Sequence, residues 1–155
     1  MTGDINKFED YARDLERQIN NISNDLPIYL FGHSMGGLIN NYFTIVYPKT
    51  TTKKIVGIIN SSTPTSTPLI TDIMQLESLL SNQILVSQPD YDISEEARKN
   101  KILYTTKNLA KEVFKSIREV NNKIKEEGYS YPYKILLIHG KEDKNVPFAD
   151  SKNFE

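Results

Sequence analysis

The chain has no cysteine, and among its 155 residues there are only two histidines, His33 and His139. Without cysteine there can be no disulfide, no thiolate metal site and no thiol nucleophile. That fits a reducing compartment, and a cytoplasmic location is expected. The two histidines stand far apart, without the spacing of metal ligands, so neither a metal nor another cofactor is expected. There is no excess of one charge: nineteen basic side chains face twenty acidic ones. No basic block marks a nucleic-acid face and no acidic run marks a solvating tail. Nor is there an apolar run near the roughly 18 residues of a spanning helix. The opening "MTGDINKFEDYARDLERQ" is neither a signal peptide nor an anchor.

What is present is enough for one ordinary domain with its own core. Phe8, Tyr11, Ala12, Leu15, Ile19 and Ile22 recur at helical spacing among charges, an amphipathic helix with one buried stripe. Asn6 and Glu9 have the spacing of its capping box. After Pro27, "IYLF" reads as a buried strand. "MGGLINNYFTIVYP" reads as a helix that stops before Pro48, and "KIVGIIN", Lys54 to Asn60, as the next strand. Strand, helix and strand in that order make a right-handed unit of a parallel sheet. Ile70 to Leu80 is weakly helical, and "ILV" at 84–86 is too short to assign. Ile102, Thr106, Leu109, Val113, Ile117, Val120 and Ile124 mark a long amphipathic helix closed by Gly128. "YKILLIHG", Tyr133 to Gly140, is the clearest strand, and the last residues from Phe148 begin another helix.

Gly32-His33-Ser34-Met35-Gly36 fits G-x-S-x-G and lies between a predicted strand and a predicted helix, the context this motif requires. A nucleophile on such a strained, sharp turn stands above the strand ends, and the flanking glycines avoid neighbouring backbone. The backbone N–H of Met35 then points to where an oxyanion would form. The competing reading is a glycine-rich turn whose serine only caps the helix. Phosphate cradling is disfavoured, since neither G-x-G-x-x-G nor a P-loop is present. In "HGKEDKNVP", Asp143 sits in a loop after the strongest strand, where a carboxylate can orient a histidine and stabilise its charged form. Glu142 competes for that role. His139 reads as structural because it precedes the acid, and His33 as packing beneath the turn.

"LFGHSMGGLI", followed about a hundred residues later by "ILLIHGKEDKNVP", resembles the monoacylglycerol lipase and lysophospholipase branch of the α/β-hydrolases, with the related serine-aminopeptidase-like enzymes. "FEDYARDLERQI" resembles the helix before the nucleophile strand of that branch, and "INSSTP" the strand end leading into its lid. Where the family has Asp-Pro-Leu, this chain has Lys101-Ile102-Leu103. The resemblance implies a partial α/β-hydrolase fold: a parallel sheet with helices on both faces and a helical cap insertion. It implies core segments over 1–66 and 132–155 and a cap over 67–131. Ser34 would be the nucleophile, Asp143 the triad acid and the Met35 N–H one oxyanion donor. The substrate would be a small lipid-like ester, a monoacylglycerol or lysophospholipid, cleaved through an acyl-enzyme. Membrane contact, if made, would be peripheral and through the cap.

In that fold the order is serine, acid, histidine, and no histidine follows Asp143. The family's early strands, with the His-Gly loop that supplies a second oxyanion donor, are not found before the first helix. The expectation is therefore the middle of a hydrolase, nearly inactive and poorly stable as this chain alone. The alternative is a non-catalytic α/β-hydrolase-like binding or scaffold protein that has lost its base.

Overall fold

Three parallel strands carry everything that bears on the site. In the computed structural model the described residues are 6–23, 26–49, 55–66 and 107–154. They form α1 (Glu9–Asn20), β1 (Ile28–His33), α2 (Met35–Asn41) continued by a π-helical turn (Tyr42–Val46), β2 (Ile55–Ser61), α3 (Lys107–Ile124), β3 (Lys134–Ile138) and a 3₁₀ helix (Phe148–Phe154). The chain divides into two compact units, Met1–Phe8 with Pro68–Val113 and Glu9–Thr67 with Phe114–Glu155. In the first, the Phe8 N–H donates to the Glu112 carboxylate at 3.0 Å. The sheet and the site lie in the second, which also takes in α3 from Phe114 onward. The expected helix over Ile70–Leu80, the triplet at 84–86, Ile102, Thr106 and most of the 67–131 insertion lie outside the described residues.

α1 forms because Glu9 and Asp10 stand at its positive end, with Arg17 in its last turn. Ala12 and Ile19 are buried along one stripe. The expected capping box does not form. The helix starts at Glu9 itself, two residues later than an Asn6 cap requires, and the Glu9 carboxylate pairs with Arg13 at 3.2 Å. Ile22 falls beyond the helix end and is exposed.

The sheet order is β1-β2-β3, all parallel. β1 and β2 are joined through α2, as the sequence indicates. α2 lies on the face that carries Leu30 and Ile58, and Leu38 and Phe43 are fully buried there. The helix widens to a π turn at Thr44, whose hydroxyl donates back to the Asn40 carbonyl at 2.8 Å, while the Tyr47 N–H reaches the Tyr42 carbonyl at 2.9 Å. Such a back-bond competes with the helical ladder.

Parallel strands rich in Ile and Leu are normally covered on both faces. Here the outward row Phe31–Ile59–Leu136 is in register. Along that face Tyr29, Phe31, Leu136 and Ile138 are 64%, 66%, 55% and 49% exposed. The two faces therefore differ in energetic weight. Phe43→Ala should cost about 3–5 kcal/mol of stability, whereas Phe31→Ala should stay within about 0.5 kcal/mol. Urea denaturation of the two variants checks this.

Candidate active site

The three parallel strands end at the same edge of the sheet, and the residue after each stands there. Ser34 follows β1 and has φ 51° and ψ −117°, a backbone conformation that L-residues rarely adopt. Its N–H donates to the Ser61 carbonyl at 2.8 Å, which extends the β1–β2 ladder by one bond. Its own carbonyl accepts from the N–H groups of Gly37 and Leu38 at 3.1 and 3.2 Å, starting α2. Its side chain makes no capping hydrogen bond. The reading of Ser34 as a mere helix cap therefore fails: the backbone is strained and the hydroxyl is not used to relieve the helix end. Met35 is the first helical residue, so its N–H has no intrahelical acceptor.

The glycines divide by what surrounds them. A Cβ on Gly32 would lie 2.5 Å from the Gly36 carbonyl oxygen and the Gly37 nitrogen, so the turn can close only over glycine. Gly36, the second motif glycine, faces open space instead. The crowded neighbour is Gly37, where a Cβ would overlap the Thr63 hydroxyl.

Asp143 is fixed by its loop. One carboxylate oxygen accepts the N–H groups of Asn145 and Val146 at 2.9 and 3.0 Å. The Val146 and Asn145 amides hold its pKa below the ordinary aspartate value. Glu142 beside it is exposed.

The hydrogen bonds of both histidines go to groups other than the Ser34 hydroxyl. His139 is almost fully buried, its ring edge-to-face with Phe148 at 5.7 Å. Its Nε2–H donates to the Val146 carbonyl at 2.9 Å and lies 3.6 Å from Asp143 Oδ2. It props the acid loop, as expected of a structural residue. His33 corrects the expectation that it packs beneath the turn. Strand alternation turns Gly32 inward and His33 outward, where it is exposed with Nδ1 3.3 Å from Ser61 Oγ.

Two further features escaped the sequence reading. Asn40 and Asn41 of α2 and Asn60 of β2 form a buried cluster: Asn40 donates to Asn60 at 3.2 Å, and Asn60 to Asn41 at 2.7 Å. The Tyr131 hydroxyl reaches Asn41 Oδ1 at 3.2 Å, and burial pushes the phenol pKa up. Asn60 is in register with Gly32, so the cluster braces the strand just before the turn. Asp150, also buried, accepts the N–H groups of Thr65 and Ser66 at 2.8 and 3.0 Å, and its carbonyl accepts the Thr65 hydroxyl at 2.7 Å. The only sequence signals were asparagines inside apolar runs and a lone aspartate near the end of the chain.

A parallel sheet with a serine on a positive-φ turn between strand and helix, and an anchored aspartate two strands away, defines an α/β-hydrolase. The family model for serine aminopeptidases of the S33 type matches residues 1–155, and the chain belongs to that family. Among solved structures, one reported with the carboxylesterases of the ammonia-oxidizing thaumarchaeon Nitrososphaera gargenis is 15% identical with a TM-score of 0.52, covering 99% of this chain and 60% of its own. A serine hydrolase involved in carbazole degradation, the CarC enzyme, is 18% identical with a TM-score of 0.51, covering 99% and 63%. This chain thus spans under two thirds of the length of either. No curated protein matches its sequence. Among the described residues no helix is long and apolar enough to cross a membrane.

Two predictions follow from the geometry. Gly32→Ala and Gly37→Ala should each lose about 1–3 kcal/mol from forced overlap. Gly36→Ala, with open space and a helical position, should be neutral or gain up to about 1 kcal/mol. Ser34→Gly should raise stability by about 1 kcal/mol by releasing the strained backbone. Urea unfolding of the four variants reads these out. The second concerns pH. Because the Asp143 pKa is lowered on folding, the unfolded chain binds more protons in the acidic window between the two values. The carboxylate's stabilisation is present above the ordinary aspartate pKa and lost as pH falls through the folded one. Urea midpoints of the wild type and Asp143→Asn should therefore converge on acidification through that window.

Proposed function

We propose that this chain carries the nucleophile and the acid of a serine ester hydrolase acting on small lipid-like carboxylic esters, monoacylglycerols or lysophospholipids. The observation that supports it most is the Ser34 backbone, held at φ 51° with a hydroxyl that caps nothing. Strain of this kind persists where the side chain is needed in one position. In this reading Ser34 Oγ bonds to the ester carbonyl carbon as its proton passes to a base. The Met35 N–H stabilises the oxyanion, the C–O bond breaks, and the alcohol leaves with that proton. Water then hydrolyses the acyl-enzyme by the reverse proton path. The base would be a histidine supplied between Ser34 and Asp143, since His33 and His139 are otherwise engaged. No cofactor enters these steps. The lipid-like substrate and peripheral membrane contact through the cap rest on the resemblance of the two sequence motifs, and a cytoplasmic location on the lack of cysteine.

The engagement of both histidines also favours a second reading, a non-catalytic binding protein on the same fold. A fluorophosphonate probe separates the two. The hydrolase reading expects covalent labelling at Ser34, mapped by peptide mass spectrometry and abolished by Ser34→Ala. Labelling is expected to be slow in this chain, because without a base the hydroxyl is a poor nucleophile. Reversible binding of an ester analogue with no adduct at Ser34 would support the binding-protein reading instead.

A further inference from the structure

The His139 side chain is 3% exposed, and its ring packs edge-to-face on Phe148. A residue that only filled this space would need no hydrogen-bond donor. Yet Nε2 lies 2.9 Å from the Val146 carbonyl. A carbonyl oxygen only accepts, so Nε2 carries the hydrogen and this bond sets the tautomer. Val146 is held from its other side as well, since its N–H donates to Asp143 Oδ1 at 3.0 Å. Both backbone polar groups of one residue are thus engaged, the carbonyl by His139 and the amide by Asp143. The Asn145 N–H donates to the same carboxylate oxygen at 2.9 Å, and the Asp143 N–H returns to the Gly140 carbonyl at 3.2 Å. Pro147 comes next and has no N–H to contribute. The second carboxylate oxygen, Oδ2, lies 3.6 Å from His139 Nε2. His139 itself directly follows Ile138, which is in register with Ser61 of β2. The ring therefore carries the position of the sheet, through Val146, to the carboxylate.

We propose that His139 is a positioning residue for Asp143: as an Nε2–H donor it pins the Val146 peptide, whose amide sets where the carboxylate stands. Its meaning for catalysis rests on the reading of Asp143 as the triad acid; the chain of hydrogen bonds does not. Loss of the donor takes a partner from the carbonyl of a buried residue. It also frees the peptide on which one of the two Oδ1 bonds depends. Glutamine reaches about as far as the histidine Nε2 and carries an N–H there. Leucine fills volume without a donor.

The test is NMR of the full chain. In the wild type at neutral pH, the imidazole nitrogen shifts should show Nε2 protonated. A bare Nε2, with the hydrogen on Nδ1, would overturn the proposal without any variant. Carboxyl-carbon titration of Asp143, assigned with Asp143→Asn, then reads the positioning. The Asp143 midpoint, low in the wild type, should move up toward the ordinary aspartate value in His139→Leu and stay low in His139→Gln. Glutamine carries no charge. A midpoint that rises as far in His139→Gln as in His139→Leu would assign the effect to charge on the ring rather than to its hydrogen bond, and so overturn the proposal. A midpoint unchanged in His139→Leu would overturn it too. The tautomer measurement and His139→Gln do not require His139→Leu to fold. Nor does the titration depend on turnover. A failure of Ser34 to react with the fluorophosphonate would remove the hydrolase reading and leave this result standing, so the two failures are distinguishable.

Discussion

The hydrogen bond from the Ser34 N–H to the Ser61 carbonyl, 2.8 Å long, is the constraint on which the site depends. It continues the β1–β2 ladder past the residue where the chain must reverse direction. The chain can obey both demands only by taking a positive φ at Ser34. That geometry brings Gly36 and Gly37 back against Gly32 and rules out a side chain there. It also makes Met35 the first residue of α2, with a free helical N–H beside the serine. One bond thus links the sheet register, the glycine positions and the placement of the hydroxyl.

The end of β2 ties together the ends of both neighbouring strands. The Ser61 carbonyl holds the nucleophile turn, and the Ser62 N–H donates to the Ile138 carbonyl at the end of β3. Behind them, the Asn40–Asn41–Asn60 cluster ties α2 to β2 through side chains, while Asp150 ties the loop after β2 to the 3₁₀ helix after β3. Buried polar groups of this kind stabilise little beyond offsetting their own desolvation. A partly satisfied alternative arrangement is costly, however, so they specify one geometry. That suits a site whose distances have to be held closely.

The strand–turn–helix around Ser34 was legible in sequence because apolar runs, motif glycines and Pro48 all point to the same local structure. The β3 strand and the Asp143 loop were legible for the same reason. The positive φ of Ser62 was not, because a serine in "SSTPTSTP" is indistinguishable from any loop serine until β3 is placed beside it. The asparagine cluster joins residues twenty apart, and the Asp150 clamp joins residues 85 apart. No local pattern encodes such pairs. The orientation of His33 was derivable from strand alternation, but the strand runs two residues further than "IYLF" suggests. The outward row Phe31–Ile59–Leu136 belongs to strands that read as buried on both faces, yet Phe31 and Leu136 are exposed.

Two strained serines at adjacent strand ends call for one physical account. Each positive φ costs on the order of 1–3 kcal/mol, against a total stability of roughly 5–15 kcal/mol for an ordinary domain. Such a cost persists only where surrounding bonds over-determine the backbone. Ser34 is held by the Ser61 carbonyl on one side and by the first bonds of α2 on the other. Ser62 is held by the Ile138 carbonyl and, through Thr65 and Ser66, by Asp150. At both positions glycine would satisfy the same bonds with less strain. The backbone therefore explains the turns but not the residue type. At Ser34 the residue type is explained by a hydroxyl that makes no capping hydrogen bond.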